Sequence, residues 1–257
     1  MYNIRILTVL LLLWPAELVC AEAISYTNRI AFLADLPQTE VTLTWEILST
    51  DTFIPQNDRV RGITFNYLTG NELMKITDAF AQTTEEGKNS LGLTGPDASF
   101  LSGDELIMTF DIPTSFVGLY VIGSPGDFCE GDITLSFGGG QISNTSEPDI
   151  VLPDGGEAYF LGIIVTGPSS SFTEAALISH DPTCSGLYVF NIDDILNYGC
   201  ITNLDEFGDV TFSDFALFSL YWLQTDCGFC GGADFTADHN VLFDDLSVFV
   251  EDWLCGI

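Results

Sequence analysis

The apolar residues of this chain follow two different rhythms, and the change between them is what most limits its fold. From about Ile24 to Asn197 they recur at every second position. Val41, Leu43, Trp45 and Ile47 alternate with Thr42, Thr44 and Glu46. Leu106, Met108, Phe110 and Ile112 repeat the pattern, as do Val117, Leu119 and Val121. Period two belongs to a half-buried strand, because successive side chains point to opposite faces. Turn-forming runs separate the strands: Thr94-Gly95-Pro96-Asp97, Gly123-Ser124-Pro125-Gly126-Asp127, Gly138-Gly139-Gly140 and Pro153-Asp154-Gly155-Gly156. Short strands at regular intervals predict a mainly β domain over residues 24–197, a β-sandwich or jelly roll. From Cys200 the spacing becomes helical. Phe215, Phe218 and Trp222 share one stripe, and Leu246, Phe249, Val250 and Trp253 another. A small helical domain is therefore expected over 200–257, with the boundary near Asn197-Tyr198-Gly199-Cys200.

Charge narrows the partners. The 257 residues include 37 Asp and Glu against 6 Lys and Arg, for a net charge of −31. No Lys or Arg occurs from Cys200 onward. Such a surface repels phosphate backbones, whose binding rests on basic side chains, and anionic membranes likewise. It attracts cations, and Ca²⁺ prefers carboxylate oxygens. The hydrophobic share of 47% is too high for disorder.

Residues 1–23 read as a secretory signal peptide. Arg5 precedes an apolar run from Ile6 to Trp14, too short to span a bilayer. Ala21-Glu22-Ala23 is an A-x-A site with a cut after Ala23, or alternatively after Ala21. Cys20 lacks the preceding small residues that lipoprotein processing wants. No later segment reads as a membrane helix. Export makes disulfides permissible, and six cysteines follow the leader: Cys129, Cys184, Cys200, Cys227, Cys230 and Cys255.

The helical region is a tandem repeat in which equivalent residues stand 31 apart: Asn203 and Asp234, Val210 and Val241, Phe212 and Phe243, Asp214 and Asp245, Phe218 and Phe249, Trp222 and Trp253. Each unit opens with a loop of twelve and runs into a helix. Oxygen-bearing residues occupy positions 1, 3, 9 and 12 of the first loop (Asn203, Asp205, Thr211, Asp214) and 1, 3, 5 and 12 of the second (Asp234, Thr236, Asp238, Asp245). This is EF-hand-like spacing, in which position 7 (Asp209, Asn240) offers its backbone carbonyl to Ca²⁺. Gly208 fills position 6 of loop one, where the turn wants a positive φ, and His239 stands there in loop two. Loop one has Phe207 in place of a position-5 carboxylate and Asn203 at position 1. Loop two is therefore expected to hold Ca²⁺ better than loop one, with one or two ions in all. The alternative is a pair of loops held by helices and disulfides without metal.

Residues 200–256 resemble a type I dockerin domain, on the strength of Asn203-Leu204-Asp205-Glu206-Phe207-Gly208-Asp209-Val210, Ala233-Asp234-Phe235-Thr236-Ala237-Asp238-His239-Asn240-Val241 and the Trp-Leu closing each copy. The resemblance implies a docking role toward a cohesin-like partner. It also implies that loop positions 10 and 11, here Phe212-Ser213 and Phe243-Asp244, help to contact that partner. The competing reading, preferred on their apolar character, makes the two phenylalanines core residues between the helices.

Cys227-Gly228-Phe229-Cys230 lies between the units. Redox catalysis would want such a motif at a helix start, and a four-cysteine zinc site fits no compact ribbon. Disulfides are the simpler reading. The repeat symmetry favours Cys200–Cys227 and Cys230–Cys255, each closing its own unit. Cys200–Cys255 is the alternative, and Cys129 would pair with Cys184.

The β region resembles secreted bacterial β-sandwich modules through strings such as Arg61-Gly62-Ile63-Thr64-Phe65, Phe116-Val117-Gly118-Leu119-Tyr120-Val121-Ile122 and Phe190-Asn191-Ile192-Asp193-Asp194-Ile195. That resemblance implies an exported protein and, by analogy of fold, polysaccharide binding. Tyr120, Tyr159 and Tyr188 are candidate ligand platforms, although their alternating strands favour a core role. Asp193-Asp194 either holds Ca²⁺ or serves the structure. Asp127, Glu130 and Asp132 around Cys129 read as a solvated turn, and His180 as a surface residue. No hydrolase motif stands out among so many carboxylates. The first expectation is a secreted non-catalytic binding and docking protein associated with polysaccharide. The alternatives are a small glycoside hydrolase-like enzyme carrying a dockerin, and a cell-surface structural protein.

Overall fold

The computed structural model describes residues 22–37, 41–70, 72–80, 84, 87–95, 98–167, 171–182, 184, 186–199, 202–205, 210–227, 230–236 and 239–253. The leader up to residue 21, Pro96, Asp97, Cys200, Phe207, Gly208, Asp209, Asp238 and Cys255 lie outside the described residues.

The chain forms β1 (Glu22–Tyr26), β2 (Val41–Leu43), β3 (Phe53–Ile54), β4 (Asp58–Val60), β5 (Ile63–Tyr67), β6 (Met74–Thr77), β7 (Ser90–Leu93) and β8 (Phe100–Leu101). It continues with β9 (Glu105–Thr114), β10 (Phe116–Gly123), β11 (Ile133–Phe137), β12 (Gly140–Ser143), β13 (Ile150–Val151), β14 (Glu157–Thr166), β15 (Phe172–Ser179) and β16 (Val189–Asn197). Helices are α1 (Arg29–Ala34), α2 (Phe212–Tyr221) and α3 (Phe243–Glu251). One sheet runs β1-β14-β10-β16-β7-β6-β3, with β13, β2 and β8 on its flanks. The other runs β12-β11-β15-β9-β5-β4. Every pairing between named strands is antiparallel. Leu119, Val121, Leu161 and Ile163 of the first sheet share one core with Phe65, Met108, Leu135 and Leu177 of the second. The mainly β, two-sheet architecture expected from the alternation is present.

Local chemistry explains several elements. Gly138 and Gly139 take φ of 58° and 83°, and Phe137 pairs with Gly140. Two positive φ values in a two-residue loop match the right-handed twist of the flanking strands. The alternation in β9 places Leu106, Met108 and Phe110 in the core. The expected strand through Ile47 stops at Leu43, and Trp45–Ile47 forms a 3₁₀ turn instead. That turn buries Trp45 against Phe65 and sends Glu46 to accept the Lys88 N–H at 2.7 Å.

At its centre, in β10, β14 and β16, the first sheet is buried on both faces, where alternation alone suggests one. All of β10 is buried. Its outer face, with Phe116, Tyr120 and Ile122, packs with Phe160 and Ile164 under Phe32 of α1. No helix is expected there from the sequence periodicity. Asn28 caps α1 by accepting the Ala31 N–H at 3.0 Å. Asp149 ties the start of α1 to the sheet by accepting the Arg29 N–H at 3.2 Å and the Tyr120 hydroxyl at 2.9 Å.

Phe32 fits because Gly118 and Gly162 pair opposite each other. A Cβ on Gly162 would lie 2.7 Å from both the Phe32 and Phe160 rings. Gly162→Ala is thus expected to destabilise the protein by about 1–3 kcal/mol, the usual penalty for overpacking. Urea unfolding measures it. Gly186→Ala is the control, since its Cβ would meet nothing within 4 Å. Equal midpoints for the two variants would show that Phe32 has room to move.

Among the described residues no helix is long and apolar enough to cross a membrane. Cys129 and Cys184 are bridged within the β region, as expected, with Cα atoms 6.2 Å apart. Cys227 pairs with Cys230. This corrects the favoured Cys200–Cys227 and Cys230–Cys255 pairings. Asp226 and Cys230 both adopt positive φ (54° and 48°), and the Cα atoms of Cys227 and Cys230 lie 5.2 Å apart, within reach of a bridge.

Candidate functional site

The two repeats form one small core. Phe218 and Phe249, equivalent residues, stack with centroids 5.4 Å apart. Val210 and Val241, also equivalent, are buried with them. Val250 departs from its expected stripe and is exposed, while Phe249 and Leu246 face inward.

The loops repeat at the level of single hydrogen bonds. Asp214 is buried and accepts the Asp205 N–H at 3.0 Å and the Thr211 N–H at 2.8 Å. Asp245 is buried and accepts the Thr236 N–H at 3.0 Å and the Leu242 N–H at 2.8 Å. In both loops the position-12 carboxylate thus gathers the N–H groups of positions 3 and 9. The position-9 N–H belongs to the N-cap of the helix that the aspartate opens, and the position-3 N–H is brought to it by the curl of the loop. The Thr236 hydroxyl also donates to Asp245, at 3.0 Å. Loop two adds a bond from the His239 N–H to Asp234, position 6 to position 1, at 2.8 Å. His239 takes φ of 67°, the left-handed conformation expected of position 6. A residue with a Cβ accepts that at a cost of about 1–2 kcal/mol.

The structure therefore brings Asp205, Thr211 and Asp214 together in loop one, and Thr236 and Asp245 in loop two, where Asp234 is bonded to the His239 N–H. Asn203 and Asn240 lie in the same loops at positions 1 and 7, and Asp209 and Asp238 fall outside the described residues. Among the described residues no group of three or more His, Cys, Asp or Glu side chains stands close enough to hold a metal. The donor set nonetheless fits a hard cation: it is all oxygen, two of its carboxylates are buried, and no Lys or Arg follows Lys88 in the chain to compete.

Phe212 and Phe243 are not core residues. They are 76% and 71% exposed. Each begins its helix, so its side chain leaves the apolar stripe and lies edge-on to the tryptophan of the other repeat. Phe212 meets Trp253 at 5.0 Å and Phe243 meets Trp222 at 5.3 Å between ring centroids.

The chain matches no family model, no curated protein and no solved structure.

The β region holds a second cluster. Asp193 and Asp194 are buried in β16, beside a register shift between Gly118 and Tyr120 of β10. Asp194 takes φ of 45°, which turns the strand into a bulge. The Thr84 hydroxyl stands 3.0 Å from Asp193 Oδ2 and 2.6 Å from Asp194 Oδ2. One hydroxyl carries one hydrogen and cannot donate to both. The two carboxylates therefore share one hydroxyl donor, and their closeness around it couples their titration. Burial pushes Asp193 up to about 6, against the bonds from Thr84, which favour its charged form. The sequence flags this pair through two aspartates among Ile192, Ile195 and Leu196, but nothing local points to Thr84.

The other candidates in the β region are structural. Tyr120, Tyr159 and Tyr188 are buried: the first two hydroxyls donate to Asp149 and to Glu157, and the Tyr188 hydroxyl lies 2.8 Å from both the Asp132 and the His180 carbonyl, between which it shares its one hydrogen. They form no exposed ligand platform. Asp132, expected in a solvated turn, is buried and accepts the Cys129 N–H at 2.8 Å. His180 is exposed and meets the Thr134 hydroxyl through Nε2 at 2.9 Å.

Proposed function

We propose that this is an exported, non-catalytic docking protein: a β-sandwich carried on a dockerin-like, calcium-binding C-terminal pair of loop-helix units. The single observation behind this reading is the exposure of Phe212 and Phe243 at equivalent positions of the two repeats. Solvent-exposed aromatics of this size are costly to leave bare, and they are the residue type that anchors protein interfaces. Asp234, Thr236 and Asp245 would hold Ca²⁺ in loop two, and Asn203, Asp205, Thr211 and Asp214 would do so in loop one. A bound ion supplies divalent charge that offsets the buried carboxylates. A cut after Ala21 is the better fit for the leader, because it leaves β1 whole, whereas a cut after Ala23 removes the first two of its pairs with β14. Association with polysaccharide remains part of the proposal, though the three buried tyrosines lend it nothing.

The test is binding of the full chain to a panel of cohesin modules, by calorimetry, in calcium and in chelator. Calcium-dependent binding is expected, weakened at least about tenfold in Phe212→Ala/Phe243→Ala, as for aromatic anchors generally. The C-terminal repeats should remain folded, losing about 1–3 kcal/mol for the two edge contacts with Trp222 and Trp253, since both rings are otherwise mostly in water. An unaltered affinity in the double variant would sink the docking assignment of these residues.

A further inference from the structure

The Cys227–Cys230 bridge has no part in the function above, yet it is built into the wall of loop two. The segment that ends in Cys227 runs antiparallel to the middle of that loop, with Thr225 opposite Asn240. Leu223 N–H donates to Val241 O and Val241 N–H to Gln224 O, both at 2.9 Å. Cys227 N–H donates to His239 O at 3.0 Å. Asn240, the position whose carbonyl is offered to calcium, is thus held between two residues that are both bonded to this segment. The segment is not one the backbone would choose by itself: Leu223, Asp226 and Cys230 adopt φ of 66°, 54° and 48°. Cys230 is buried among Val210, Val241 and Phe249, while Cys227 is only half-buried and within reach of a reductant.

We infer that the Cys227–Cys230 disulfide is a redox-sensitive brace on loop two, and that opening it lowers the loop's affinity for Ca²⁺. This rests on the reading of loop two as a calcium site. A dithiol is the reductant. Its thiolate attacks one sulfur, the S–S bond breaks through a mixed disulfide, and its second thiol closes its own ring. Two electrons and two protons pass to Cys227 and Cys230, which become thiols. Without the bond nothing covalent keeps Asp226 and Cys230 in their left-handed conformations, and the Cys227-to-His239 bond is the first to loosen. Affinity in such loops follows rigidity as well as charge. Loop two then reaches full affinity only where disulfides form, which matches export.

The experiment compares the oxidised full chain with Cys227→Ser/Cys230→Ser, which leaves the other cysteines untouched. Calcium affinity is read by calorimetry, and amide hydrogen exchange is read at residues 223–227 and 239–241 in chelator. The expected result is about tenfold weaker calcium binding and faster exchange in both segments of the variant. Titrating the native chain with a dithiol, while alkylation and mass spectrometry locate the opened bridge, should give the same affinity loss in step with Cys227 labelling. This second arm guards against a variant that misfolds. Equal affinity and equal exchange in the two forms would overturn the brace and leave the calcium site standing. No calcium binding by the oxidised chain would overturn both, and faster exchange in the variant would then mark the bridge as structural only.

Discussion

Replacing Asp193 by asparagine is expected to flatten the pH dependence of stability between about pH 4 and 6, and to make the protein more stable than wild type at neutral pH. The folded state keeps a proton on the Asp193–Asp194 pair up to about pH 6, whereas the unfolded chain loses it near 4. Between those values the native state binds more protons than the unfolded state. Stability from this source is therefore complete below about pH 4 and is lost as pH rises through about 6. The loss is on the order of 2–3 kcal/mol. Asparagine retains an acceptor for Thr84 and carries no charge to bury. Asp194→Asn should act similarly, because a coupled pair titrates as a unit. The neighbouring charges are few: Glu46 raises Asp193 further, and Asp194 and Arg29 act on nearby Tyr120 in opposite directions. Urea unfolding of wild type and variant at pH 4.5 and 7.5 measures the difference. Asp104, also raised by burial, contributes the same slope to both proteins and cancels. Parallel curves would mean that the pair is ionised throughout.

Asp245→Ala is expected to destabilise the C-terminal repeats even in chelator, by about 1.5–3 kcal/mol, the range for hydrogen bonds to a charged group. Its carboxylate accepts the Leu242 N–H at the N-cap of α3 and the Thr236 N–H of the preceding loop. Asp214→Ala should cost less. At the start of α2 the Thr211 hydroxyl separately accepts the Ser213 N–H at 3.2 Å, whereas Leu242, in the same position before α3, has no side-chain acceptor. Hydrogen exchange across residues 239–251, with and without calcium, separates the roles. Lost protection in chelator marks the carboxylate as a cap. A deficit seen only in calcium marks it as a ligand alone and would refute the cap. Asp245→Asn should keep most of the cap and still weaken calcium binding.

Much of this protein is legible locally. The strand period of the apolar residues runs out where β16 ends, at Asn197, because strand and helix periods follow from the chain's own geometry. The repeat aligns Asp214 with Asp245 and Phe218 with Phe249, and the structure makes each pair equivalent in its contacts. The left-handed turn at His239 could be read from a loop position that wants glycine.

What only the tertiary structure decided concerns residues that are far apart in sequence or alike in character. Phe212 and Phe218 are the same residue type on one helix, yet one is exposed and the other buried, because only the position of the second repeat determines which side is covered. Repeat symmetry argued for long disulfides, but Cys227 and Cys230 lie within reach of each other, and Asp226 and Cys230 adopt positive φ. Asp193 and Asp194 read as either ligands or structure until Thr84, more than a hundred residues earlier, was found between them. Periodicity and spacing report on the backbone within a few residues. Burial, pairing and protonation depend on which distant surfaces exclude water, and that is settled only when the whole chain has packed.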